Sequence, residues 1–552
     1  MTDHPTRRAE GLAVLACCAA ASLVAAVWSW RHGAMLNYGD AVAHLHIARR
    51  VIDSHRPGLS QLGSVWLPLP HLLMIPFVAI YSFWANGIAG LIPYALAYVA
   101  GCVGIYRLAR HWLQPLPAVV TLCFFATNPN LLYLQTTAMT EPLFVCEMIW
   151  TSVWLVEWRA NVDAASNLEA SSGHSTRLLF LIAIVLAASV FTRYDGWVMA
   201  LLAWVNIGIV LLRRGKLRSR AFWFASVIVV GAPVIWCVYN AVVFGDWLDF
   251  MRGPYSAKAI ELRTASPGGG PPHPGWHDPW VSLLFFLKAA EMDAALAARG
   301  NLLLILSLLG TAWAGVIARR HAFNWSLLLW LPVPFYAYSV AYSSVPIFLP
   351  VWWPHSFYNT RYGMELLPAF ALGLGFATHF VLTGVSEFKP RWTNFIAAAM
   401  FALLLMNVVV MLRERPLVYV EGTKNFESRW YYESEIPPVL RALLATRPGG
   451  IVLMETSVYP NLVAFSGIPL RQTINGSDLE FYHAALAAPA EHAAIVVAFD
   501  GSEIDKAVRT HPEGLRVIRR FSSPGRDAGT IYVSDTTPPK VPAQASTTLP
   551  VQ

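Results

Sequence analysis

Long apolar stretches alternate with short polar breaks along most of the chain. The stretches fall near 11–30, 66–83, 86–106, 115–132, 139–157, 177–192, 196–212, 219–240, 299–318, 322–342, 362–384 and 392–411. Most approach the ~20 apolar residues that a helix needs to cross a hydrocarbon core. The one at 66–83 is broken by Pro68, Pro70 and Pro76, so it is expected to re-enter or lie along the membrane without spanning it. The pattern therefore predicts an α-helical polytopic membrane protein of about 11 transmembrane helices.

The first long polar interruption, residues 37 to 71, has a period of its own. Ala41, Val42, Leu45, Ala48, Val51 and Ile52 recur at helical spacing, with His44, His46, Arg49, Arg50 and Asp53 between them. That is an amphipathic helix in the interface. Asp40 stands at its start, either as a cap on the free first-turn amides or as a carboxylate presented to a substrate. The two roles are compatible.

Beyond residue 412 the pattern changes. Short β-rich runs at 451–454, 495–499, 515–518 and 530–533 alternate with helical stretches at 437–446, 478–488 and 502–509. They predict a small α/β domain over 413–536, following a transmembrane module over 1–412 and ending in a disordered tail, 537–552. Gly449-Gly450 precedes the first strand, but no glycine fingerprint follows it, which argues against nucleotide binding.

Charge orients the chain. The basic links 213–218, 319–321 and 389–391 belong on the cytoplasmic side. The N-terminus is then cytoplasmic, and the loops 31–65, 128–138, 241–298 and 343–361, the turn 192–195 and the C-terminal domain face outward. The loop 241–298 carries Ser266-Pro267-Gly268-Gly269-Gly270-Pro271-Pro272, a hinge-like run that suits either a substrate lid or a plain connector. Residues 1–30 have a basic start and an apolar core, and the run Gly11–Trp30 reads as a retained first span.

Composition agrees with the pattern. Of 552 residues 56% are hydrophobic and only 13% charged, against about 25% charged in soluble domains. A net charge of +7, clustered beside apolar segments, fits topology control and contact with membrane lipids, not nucleic acid. All six cysteines lie in apolar segments, so neither a structural disulfide nor a Cys-based zinc site is expected.

Nine polar or aromatic residues fall at outward ends of segments: Asp40, His71, Glu141, Arg193, Tyr194, Asp195, Tyr358, Arg361 and Tyr362. Ionisable groups at membrane depth usually face a cavity and find a partner. Several also have a plain structural reading. Glu141 suits a helix dipole, Arg193 and Asp195 a local ion pair, and Arg361 a snorkelling anchor in an aromatic belt. Arg361 between Tyr358 and Tyr362 also suits phosphate, because a permanently charged fork matches its oxygens. The histidines show no metal-ligand spacing. His44 and His46 are two apart and point to different sides of a helix, which leaves a divalent metal beside Asp40 as an alternative only.

This layout resembles the membrane glycosyltransferases of the GT-C fold. The resemblance covers roughly residues 10–410 and rests on Asp40 as the first acidic residue of an outward loop, the amphipathic helix, the re-entry Trp66-Leu67-Pro68-Leu69-Pro70-His71, and Arg361-Tyr362 followed by Leu367-Pro368. The chain is similar to the protein mannosyltransferase and aminoarabinose transferase (glycosyltransferase family 39-like) group. That resemblance implies a sugar donor carried on a polyprenyl phosphate; with the orientation above, transfer is expected on the outward face, periplasmic in a bacterial inner membrane, to a lipid, glycan or protein acceptor and with no cofactor. It implies Asp40 as catalytic carboxylate and Arg361 as holder of the donor phosphate; the chemistry of a departing phosphate then adds Arg193 and His71 as candidates beside Arg361. Glu141, Asp195, Tyr194, Tyr358 and Tyr362 are then expected to position the acceptor or the site. The chain departs from its relatives in the re-entry, where Leu67-Pro68-Leu69-Pro70-His71 replaces a basic residue followed by two prolines. The rival reading is a transporter or flippase of a lipid-linked or anionic substrate, whose route would be marked by the same polar groups.

Overall fold

A computed structural model describes residues 4–164, 172–264, 271–316, 323–388, 390–478 and 480–536. The glycines of the hinge-like run at 266–270, the basic link Arg319-Arg320-His321, Lys389 and the tail 537–552 lie outside the described residues.

Among the described residues every apolar stretch read from the sequence is largely helical. Among the described residues seven helical segments are long and apolar enough to cross a membrane: Ala9–Arg31, Ile88–Trp112, Gly173–Thr192, Asp195–Arg213, Arg220–Phe244, Thr360–Glu387 and Thr393–Glu427. Four shorter apolar ones, Leu69–Val78, Pro115–Ala126, Gly300–Gly315 and Ser326–Tyr342, join them. Glu141–Ala164 is a further 24-residue helix, with Glu141, Glu147, Glu157 and Arg159 set into its apolar sequence. The proline-broken stretch forms two short helices, Leu69–Val78 and Tyr81–Asn86, neither as long as a span. The chain is a polytopic α-helical membrane protein.

The described part of the loop 241–298 holds more regular structure than its sequence suggests. It contains Asp249–Arg252, Ala257–Thr264 and the 16-residue helix Pro279–Ala294. Asp278 caps the last by accepting from the amides of Trp280 and Val281. Its buried positions, Ser282, Phe285, Phe286, Ala289, Ala290 and Asp293, follow a helical period. The apolar run is too short for a span, which is why hydropathy passes over it.

The chain divides into two compact units. One comprises 1–32, 64–70 and 91–422, and holds most of the apolar helices. Within it Ala297–Val316 and Leu367–Phe388 cross where Gly310 meets Gly373. A Cβ on Gly373 would lie 2.2 Å from the Ser307 carbonyl oxygen, and one on Gly310 would lie 2.0 Å from that of Gly373. Small residues let helix backbones approach this closely in a membrane.

The other unit comprises 33–63, 71–90 and the region after 422, so the first polar loop and the short helices after it fold with the C-terminal region. Its sheet has five strands, β1 Val452–Met454, β2 Thr473–Ile474, β3 Ile495–Phe499, β4 Leu515–Phe521 and β5 Gly529–Ser534, in the order β2-β1-β3-β5-β4. β2, β1 and β3 are parallel, and β5 is antiparallel to β3 and β4. Leu453, Ile474, Val496, Ala498, Ile504 and Val508 form its core. Four strands lie where the apolar alternation puts them. β2 has only two residues, too few to show a period.

Gly373→Val should separate the crossing helices. Overpacking of this kind costs about 1–3 kcal/mol, so the purified protein should unfold several degrees lower in a thermal scan in detergent. An unchanged transition would mean that the crossing tolerates a side chain.

Candidate functional site

The first unit gathers charge in its interior. Glu141 is the first residue of the helix Glu141–Ala164; Pro142 sits comfortably behind it because first-turn amides have no intrahelical acceptor. Arg193 and Asp195 flank the break between Ser172–Thr192 and Asp195–Arg213. Arg361 and Glu365 lie on the 3-10 turn Thr360–Leu366, entered through Asn359 in the left-handed conformation, φ 54°. Gly363 is required here: a Cβ would come within 2.4 Å of the Ala290 backbone nitrogen.

These elements converge on Glu141. Its Oε1 accepts from Arg193 Nη1 and from Arg361 Nε, both at 3.1 Å. Arg361 Nη1 also donates to Glu421 Oε1 at 3.0 Å. Glu421 accepts in addition from the Asn359 amide at 2.8 Å and from Thr360 Oγ1 at 2.5 Å. Arg193 reaches the other way, to Asp195 Oδ2 at 3.3 Å, Glu365 Oε1 at 3.3 Å and the Tyr336 hydroxyl at 2.8 Å. That hydroxyl donates to Glu365 Oε1 at 2.8 Å. Tyr362 stacks on Tyr336, centroids 5.1 Å apart, with both guanidinium carbons about its ring, Arg193 at 5.0 Å and Arg361 at 5.2 Å.

The result is a network of four carboxylates and two guanidiniums. Arg361 is 4% exposed and Glu365 0%, so pairing is what keeps these charges tolerable. Glu141 Oε2 and Glu365 Oε2 are buried and have no hydrogen-bond partner among the described residues.

The structure thus brings together Glu141, Arg193, Asp195, Arg361 and Tyr362. Tyr194 belongs to the same unit but points elsewhere, its hydroxyl on the Val65 carbonyl at 2.7 Å and its ring stacked on Phe250. Tyr358 is exposed and pairs through its backbone with Phe348. Asp40 and His71 lie in the other unit. Asp40 is in the first turn of Gly39–Arg50, and His71 Nε2 shares a 2.8 Å hydrogen bond with His44 Nδ1. His46 faces Trp84 instead. Burial, then the charge of Arg50, push His46 down from 6.5 to about 3. Among the described residues no group of three or more His, Cys, Asp or Glu is arranged to hold a metal ion.

No family model matches the sequence, and no curated protein sequence matches it. Solved structures do match. ArnT from Cupriavidus metallidurans bound to undecaprenyl phosphate superposes with a TM-score of 0.53 at 14% identity, over 92% of this chain and 97% of that one. The apo form of the same protein gives 0.52 at 13% identity, over 93% and 96%. The apo Archaeoglobus fulgidus oligosaccharyltransferase gives 0.50 at 13% identity, over 94% and 74%.

The chain has the GT-C fold. Within that GT-C scaffold the network includes three residues that sequence reasoning passed over, Tyr336, Glu365 and Glu421. Glu365 had a signal, a lone carboxylate at the head of an apolar run. Tyr336 was indistinguishable from interfacial aromatics, and Glu421 lies beyond the last apolar stretch.

Glu141→Leu should leave two buried guanidiniums without their shared carboxylate, a loss of about 3–5 kcal/mol, whereas Glu141→Gln keeps an acceptor and should lose less; thermal unfolding in detergent ranks them. His46 carries a pH signature. Its proton affinity is lower folded than unfolded, so its contribution is complete above pH 6.5 and is lost as pH falls from 6.5 toward 3. His46→Phe should flatten the melting temperature across that window relative to the wild type.

Proposed function

We propose that this protein is an integral-membrane glycosyltransferase that takes a sugar from a polyprenyl-phosphate donor and passes it to an acceptor hydroxyl or amine on the outer face of the membrane. The observation that carries the reading is the full-length likeness in fold to an enzyme solved with undecaprenyl phosphate bound. The paired charges buried inside an apolar bundle add to it, because such groups mark working sites in membrane proteins. The outer face follows from the basic links that orient the helices, and a compartment without nucleotide sugars calls for a lipid-linked donor.

Asp40 is assigned the base. Its carboxylate takes the acceptor's proton as the acceptor atom bonds to the anomeric carbon; the bond from that carbon to the phosphate oxygen breaks, and its electron pair leaves with the lipid phosphate. Arg361, Arg193 and His71 are assigned to the phosphate. A guanidinium has five N–H donors, and one already held by carboxylates stabilises departing charge without reorganising. Glu141 and Asp195 then act by fixing the two arginines, an assignment their hydrogen bonds favour over direct contact with the acceptor. Tyr194, Tyr358 and Tyr362 are assigned to positioning. The lipid phosphate leaves readily when its charge is matched, so the scheme needs no nucleotide site.

The test is transfer by the reconstituted protein from radiolabelled polyprenyl-phosphate sugars. Asp40→Asn should lower turnover by about 10²–10⁴-fold while the protein stays monodisperse, and full activity would remove Asp40 from the chemistry. Arg361→Lys keeps one charge but loses the fork, so the donor KM should rise about tenfold; an unchanged KM would refute its phosphate role.

A further inference from the structure

In the helix Gly39–Arg50 that carries Asp40, the residue before the first turn, Tyr38, makes no side-chain capping bond. First-turn amides need an acceptor, and that of Gly39 finds one far along the chain. The Gly39 amide, next to Asp40, donates to Asn425 Oδ1 at 2.8 Å. The approach is close, since a Cβ on Gly39 would lie 3.3 Å from that oxygen.

The carbonyls just upstream are held as well. Arg429 Nη2 donates to the carbonyl of Asn37 at 2.9 Å and, more weakly, to that of Leu36 at 3.5 Å. The same guanidinium donates through Nε to the Asn425 carbonyl at 3.3 Å and through Nη1 to Glu433 Oε1 at 2.8 Å. Glu433 in turn accepts from the Asn461 amide at 3.1 Å and from Asn461 Nδ2 at 2.9 Å. Arg429, Glu433 and Asn461 are all buried, which makes this a rigid chain of charge-assisted bonds from the turn before Asp40 into the C-terminal domain.

The far end of the helix is tied in the same way. Arg49 Nε pairs with Asp53 Oδ2 at 2.8 Å, Asp53 accepts from the Leu470 amide at 3.3 Å, and Arg471 Nη1 stands 3.5 Å from Asp53 Oδ1. Arg50 bonds Ser477 Oγ, and the His55 ring lies 2.9 Å from the Thr473 carbonyl oxygen.

We infer that the C-terminal α/β domain is a positioning device for the first-loop helix, with Asn425 and Arg429 as the positioning residues that set the Asp40 turn. The inference rests on the proposed transferase reading. Its physical content is independent of that reading: both ends of one twelve-residue helix are held by groups from residues 425–477. A base displaced by an ångström loses up to about 10²-fold in rate, so such a clamp acts on turnover and not on donor binding.

The full-length protein in lipid nanodiscs serves for the test. Asn425→Leu keeps the volume and removes the acceptor for the Gly39 amide. It should raise hydrogen exchange in the peptide spanning 37–50 while leaving the strands at 495–534 protected. It should also lower transfer kcat about 10- to 100-fold with donor KM within about twofold. Asn425→Asp keeps an acceptor and should restore both. Arg429→Lys, which retains a charge for Glu433 but loses the arm to Asn37, should move both readouts in the same direction as Asn425→Leu. Unchanged exchange at 37–50 in Asn425→Leu overturns the inference, as does raised exchange with unchanged kcat, or a loss that appears only in KM. A wild type that transfers nothing sinks the transferase reading, and the exchange measurement still decides the clamp.

Discussion

Charge inside an apolar bundle survives only when it is paired, and Glu141 is where this protein meets that constraint. One oxygen of one carboxylate serves two arginines that arrive on different elements, Arg193 from a helix break and Arg361 from a 3-10 turn. Each arginine carries further carboxylates of its own, Arg193 both Asp195 and Glu365 and Arg361 Glu421. Removing the shared acceptor would leave both guanidiniums facing low dielectric. The network therefore couples the positions of the elements that bear it.

The second unit solves a different problem. The helix Gly39–Arg50 buries Ala41, Val42, Leu45 and Ala48, but the residue before it, Tyr38, makes no side-chain capping bond. Backbone groups around its start and a carboxylate beyond its end instead bind side chains and amides from the C-terminal region. Order in a loop is obtained from a folded domain, a general route to a precise site on an otherwise mobile segment. The histidines of the same helix divide by spacing: His44 pairs with His71, and His46 is buried against Trp84.

Much of the architecture was legible from periodicity. Apolar stretches near twenty residues long become helices because in lipid the backbone must satisfy itself, and four of the five strands lie where β-branched runs put them. The helix Pro279–Ala294 was not legible, because its buried face is interleaved with polar residues and is shorter than a span. Candidate residues were legible as types: Arg193, Asp195, Glu141 and Arg361 stand out as charges beside apolar runs. Their mutual distances were not, since residues 52 and 220 positions apart leave no trace of contact in a single sequence.

The amino-acid sequence by itself determined a multi-pass helical bundle, a terminal α/β domain and a set of ionisable residues, because hydropathy, period and charge are local properties of the chain. Only the tertiary structure decided that Glu141 is shared by two arginines, that Tyr336, Glu365 and Glu421 complete their network, and that the first polar loop folds with residues after 422. Those facts depend on which helix faces meet and on backbone approaches such as Gly363 against Ala290, and such long-range packing is written in no local pattern.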